Sequence, residues 1–88
     1  MRYKNIEEIK TALLESLVES EDNRGIRINM GNGSHRYWLT GSIESYQIHC
    51  YGWGKNWADQ TDDCNIQDVD VMAKKLWNQR KNIIYNSL

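Results

Sequence analysis

The middle of this 88-residue chain alternates, and its two ends do not. Between Arg24 and about Tyr51 or Trp53, apolar and polar side chains take turns along three short runs, separated by Asn32-Gly33 and by Thr40-Gly41-Ser42. A period of two sends successive side chains to opposite faces of a strand, and Asn-Gly or Gly-Ser pairs tolerate the positive φ of tight hairpins. The flanking segments instead repeat their apolar residues every three to four positions, the helical period. Such a chain folds most simply as a small antiparallel meander with one helix before it and one after. The expected class is α+β: two layers in the order α-β-β-β-α, a three-stranded antiparallel meander with both helices on one face.

Those turns set a register. With Asn32-Gly33 central to the first, Ile28 faces Tyr37 and Ile26 faces Leu39; with Gly41-Ser42 central to the second, Tyr37 faces Tyr46 and His35 faces Ile48. The core side is then Ile26, Ile28, Met30, Tyr37, Leu39, Tyr46, Ile48 and Cys50, with His35 at its edge. Arg27, Asn29, Arg36, Trp38, Ser45, Gln47, His49 and Tyr51 fall on the other side. Residues 52–65 read as a loop whose glycines bend the strand exit, so that Trp53 or Trp57 closes the open end of the core.

The first helix is expected over residues 5–22, with Ile6, Ile9, Leu13 and Leu17 inward, Asn5 as its cap and Glu8 at the third helical position. Glu19, Glu21 and Asp22 oppose the dipole at its far end, which should fray or turn outward. The second is expected over 66–84, with Asn65 as cap, Asp68 at the third position, and Val69, Met72, Ala73, Leu76 and Ile83 inward.

A chain of this length makes one domain, spanning 1–88. Its net charge of −1 lacks the overall basic field of a typical nucleic-acid binder. No long apolar run predicts a membrane span or a secretory signal, so a cytoplasmic location is expected. Cys50 and Cys64 are too widely spaced for a CxxC motif and read as reduced thiols.

Four groups of residues are candidates for function. On the open sheet face, Arg27 should lie opposite Trp38, with Asn29 and Gln47 both opposite Arg36, and His49 and Tyr51 nearby. A Trp flanked by two Arg suits a stacked base or a protein interface; it also suits a cross-strand pair that only stabilises the sheet. Asp59, Asp62 and Asp63, continued by Asp68 and Asp70, form an acidic run without a basic residue. It lacks the ligand ladder and closing Glu of a calcium loop; it could imitate a phosphate backbone or simply open a helix. Gly52-Trp53-Gly54-Lys55 lacks the spacing and the Ser/Thr ending of a phosphate-binding loop. His35, His49, Cys50 and Cys64 lack the paired spacing zinc needs. No metal, no cofactor and no catalytic constellation is expected, and the chain reads as a non-enzyme.

The favoured expectation is a small protein-binding module that docks on a larger protein through the Arg/Trp face or the acidic run. In length, layering and the Asp59–Asp70 cluster, the chain resembles the small single-domain inhibitors encoded by phages and mobile elements, anti-CRISPR and other anti-defence proteins among them. That resemblance implies a larger host partner, such as a nucleic-acid-handling complex, met in the host cytoplasm. The α-β-β-β-α order is also similar to that of double-stranded RNA-binding domains, which implies RNA contact through a basic start to the second helix. Here that start reads Asn65-Ile66-Gln67-Asp68-Val69-Asp70, acidic where the family is basic. The alternative is therefore nucleic-acid binding on the open sheet face, through Trp38, Arg27 and Arg36. Both outer strands of a three-stranded meander are edges, which leaves homodimerisation through an edge strand open.

Overall fold

The computed structural model describes residues 2–19, 24–54 and 57–85, with residues 57–63 described as backbone alone. Helix α1 spans Ile6–Glu15. Asn5 is extended and its side chain accepts the Glu8 N–H at 3.0 Å, while the Glu8 carboxylate reaches back to the Lys4 N–H at 2.8 Å. These two bonds satisfy amides at the helix start that have no partner within the helix. The helix stops well short of residue 22, with Ser16 as its C-cap. The Ser16 side chain then joins helix to sheet, since its Oγ donates to the Leu13 carbonyl and accepts the Leu39 N–H at 2.9 Å.

Among the described residues, the sheet has four antiparallel strands in the order β1-β2-β3-β4: β1 Ile26–Asn29, β2 Gly33–Gly41, β3 Tyr46–Gly54 and β4 Trp57–Asp63. The meander read from the sequence is β1-β2-β3. The fourth strand replaces the loop expected over residues 52–65, pairing Cys50 with Asp62 and Tyr51 with Thr61. Its sequence, WADQTDD, has no apolar alternation, so its place depends on backbone pairing along the outer edge of β3.

Both turns differ from expectation. In the first, Gly31-Asn32 connects Met30 to Gly33, with φ +85° at Gly31 and a 2.8 Å bond from the Met30 N–H to the Gly33 carbonyl. Ile28 therefore pairs with His35 and Ile26 with Tyr37, two residues from the expected register. In the second, Ser42 and Ser45 exchange backbone bonds around Ile43 and Glu44, so Gly41 pairs with Tyr46, a slip of four. Ile43 is exposed in that turn and does not begin a strand. Because both slips are even, every strand residue keeps its face. Met30 is the exception among the expected core residues: it sits in the first turn, 47% exposed.

Helix α2 spans Val69–Asn78, shorter at both ends than the expected 66–84. Asp68, not Asn65, is the cap, accepting from the Asp70 and Val71 N–H groups. Gln67 is drawn to the sheet, where its amide accepts the Ile48 N–H and donates to the Ile48 and Cys64 carbonyls. After α2, a 3₁₀ turn at Arg80–Asn82 leads to Ile83, which bridges Ile28, and Ile84 donates to the Arg27 carbonyl at 2.9 Å.

Both helices pack on one face of the sheet. Ile9 and Leu13 of α1 and Val69, Met72, Ala73 and Leu76 of α2 meet Ile26, Ile28, Tyr37, Leu39 and Ile48 in one buried cluster, joined by Ile83. Removing each large aliphatic side chain from water contributes about 1.5–3 kcal/mol. Lys10 and Asp70 form an ion pair at 2.7 Å between the helices. Among the described residues, no helix is long and apolar enough to cross a membrane.

Candidate functional site

The sheet face turned away from the helices carries Arg27 from β1, Arg36, Trp38 and Thr40 from β2, and His49, Tyr51 and Trp53 from β3. Register makes Trp38 and His49 direct neighbours, and their rings stack with centroids 5.6 Å apart at 29°. Thr40 Oγ1 lies 2.7 Å from His49 Nε2, which fixes the outer end of the imidazole. Two residues before Trp38, Arg36 holds its guanidinium 5.0 Å from the indole centre.

A second group repeats the chemistry. Tyr51 and Trp53 are two apart on β3, so they share this face, and their rings lie 5.3 Å apart at 30°. Arg27 reaches across from β1 and sits 5.5 Å from the Trp53 ring centre. Ser34 lies between the two strands here, pairing with both Asn29 and Trp53. The two groups meet where Arg36 pairs with Arg27 on one side and with Tyr51 on the other. Like charges directly opposite each other oppose pairing, whereas each guanidinium over an indole gains about 0.5–1 kcal/mol.

Arg27, Arg36, Trp38, His49 and Tyr51 thus lie on one face, as expected, but with other neighbours. Arg27 faces Arg36 and not Trp38; Asn29 faces Ser34 and Gln47 faces Thr40, and neither faces Arg36. The even slips explain the exchange. Trp53 belongs to this face and does not close the core, and the side chain of Trp57, the other residue expected to close it, lies outside the described residues. The spacing of Trp53 from Tyr51 is the signal in the sequence, hidden when Gly52 and Gly54 are read as the start of a loop. Gly52 is buried and pairs with His35, and a register shift between Gly52 and Gly54 marks where β3 departs from regular pairing with β4.

The acidic run divides. Asp59, Asp62 and Asp63 belong to β4, where the backbone register sets Asp62 beside Cys50 and Asp63 beside His49. Their side chains, and the acidic surface expected there, lie outside the described residues. Asp68 and Asp70 have structural uses: the first caps α2, and the second binds Lys10, raising the Lys10 pKa through its hydrogen bond and its charge.

His35 and Tyr37 are edge-on neighbours, with the Tyr37 hydroxyl 3.5 Å from His35 Nδ1. Among the described residues no group of three or more His, Cys, Asp or Glu side chains is placed to hold a metal ion. Comparison with protein-family models, curated proteins and solved structures found no match to this chain.

Proposed function

We propose that this chain is a small protein-binding module that docks on a larger protein through the face built from Arg27, Arg36, Trp38, His49, Tyr51 and Trp53. The observation that carries the reading is that these side chains are packed on one another before any partner arrives. Trp38 has Arg36 over its ring and His49 stacked on it, and Trp53 has Arg27 and Tyr51. Trp, Tyr and Arg dominate the energetics of protein interfaces, and groups already held in place lose less freedom on binding. An inhibitor acting on a host complex, of the kind phages and mobile elements encode for anti-defence, is the form of module we favour, working in the host cytoplasm.

A second reading is a sheet that stacks single-stranded nucleic acid on its aromatic rings. The two paired arginines among four aromatic rings favour it, because stacking platforms combine these groups. Against it, the Trp38 ring is engaged by both Arg36 and His49, so it offers a base less open π surface.

Affinity capture from a lysate of the source organism, with wild-type protein and with Trp38→Ala, tests the first reading. Capture of a specific protein that fails with the variant supports it. The second reading is tested by titrating the Trp fluorescence with a single-stranded oligonucleotide at several salt concentrations. Micromolar binding with a steep salt slope would replace the first reading with the second.

A further inference from the structure

On the helix side of the sheet, away from the aromatic face, two thiols share one pocket. We propose that Cys50 and Cys64 form a dithiol site that exchanges with low-molecular-weight disulfides such as oxidised glutathione, and closes into an intramolecular disulfide.

Register brings the two residues together. β4 pairs Asp63 with His49 and Asp62 with Cys50. The next residue continues the ladder, because the Cys64 N–H donates to the Ile48 carbonyl at 3.0 Å. Cys64 therefore stands opposite Ile48, two positions along from the partner of Cys50. A period of two puts the pair on the same face as diagonal neighbours, roughly 7–8 Å apart before their side chains turn toward each other. Both pack against the core cluster, and both line one pocket of about 320 Å³ with His35, Tyr37, Met72 and Lys75. Neither is in a disulfide in this structure.

Lys75 also lines the pocket, with its Nζ 5.4 Å from the Tyr37 ring centre. Disulfide closure needs Cα atoms within about 7 Å, so one side must move slightly. Cys64 lies just past the end of β4, its backbone held by its own N–H on Ile48 and by Gln67 on its carbonyl at 2.7 Å, so closure has to shift these two bonds.

Atoms and electrons balance in the exchange. One cysteine thiolate attacks a sulfur of the small disulfide, forming a mixed disulfide and expelling one small thiolate. The second cysteine thiolate attacks the protein-bound sulfur and expels the other. Two protein thiols are oxidised, one small disulfide is reduced, and the two thiol protons leave on the two released thiols. The product ties β3 to the connection leading into α2 and closes the β3–β4 hairpin covalently.

Folded wild-type protein is incubated with oxidised glutathione, quenched with an alkylating reagent and measured by intact mass and peptide mapping. The expected product has lost two hydrogens, about 2 Da, takes up no alkylating reagent and maps to a Cys50–Cys64 crosslink. Cys64→Ser should instead stop at a single stable glutathione adduct on Cys50. Wild-type protein carrying two stable adducts, forming only intermolecular dimers, or staying unmodified while a guanidinium-unfolded control reacts would each overturn the proposal. The crosslink map needs no variant, so it decides the matter even if Cys64→Ser folds poorly.

Discussion

The Ser16 hydroxyl accepts the Leu39 N–H at 2.9 Å, across the seam between the helix layer and the sheet. Both residues are fully buried. Leu39 lies beyond the end of β1, where β2 has lost its partner on that side, so the end of α1 supplies the acceptor the strand lacks. Changing Ser16 to Ala would leave a buried amide unsatisfied. The expected loss is about 1–3 kcal/mol, read as a lower denaturant midpoint with an unchanged slope.

Two glycines separate strain from collision. Gly25 and Gly31 both have positive φ, at +76° and +85°. A Cβ on Gly31 would meet nothing within 4 Å, whereas on Gly25 it would lie 1.8 Å from the Tyr37 carbonyl oxygen. Gly31→Ala should therefore cost about 1–2 kcal/mol from backbone conformation alone. Gly25→Ala should cost clearly more, because the neighbour it strikes is strand backbone. Paired denaturation curves would check the order; equal losses would mean that β1 can shift away from β2.

On the aromatic face, stability and binding should respond differently. Trp38→Ala and Trp53→Ala each remove a cation–π contact and a ring–ring contact, costing about 1–2 kcal/mol of stability. If the face is the docking surface, the same changes should weaken partner capture by at least about tenfold, as expected of a hot-spot residue. A binding assay at a temperature where both variants remain folded distinguishes the two effects.

Tyr3 links stability to alkaline pH. Burial raises its phenol pKa above the ordinary value of 10.0, helped by the negative charge of Tyr85, Glu19 and Glu15. A pKa higher in the folded than in the unfolded state means stability that is fully present below about pH 10 and lost as pH rises through the folded value. Melting temperatures should fall across that window, and Tyr3→Phe should flatten the decline. An identical decline in the variant would assign it to other groups.

Much of this architecture is legible in the sequence, for a physical reason that also explains the errors. The alternation of Ile26, Ile28, Tyr37, Leu39 and Ile48 marks the core face whichever residues occupy the turns, because register errors of two and four leave faces unchanged. The neighbours on the aromatic face have no such protection, so the expected pairing of Arg27 with Trp38 gives way to Arg27 with Arg36. β4 has no period to detect. Ile83 fits the helical stripe of α2 yet reaches the core from an extended segment beside β1, an overlap that periodicity alone cannot resolve. Ser16 carries no sequence signal, since its partner is more than twenty positions away.

Gln67 has a wider effect than its own three bonds. By offering Ile48 both an acceptor and a donor, its side-chain amide joins the Cys64 N–H in completing the edge of β3 just past the end of β4. At the opposite margin, Ile84 occupies a carbonyl of β1. Templated growth, in which a foreign chain adds itself rung by rung to the ladder, finds both of these positions taken. The margin left for such accretion is β4, the outermost strand on that side of the sheet.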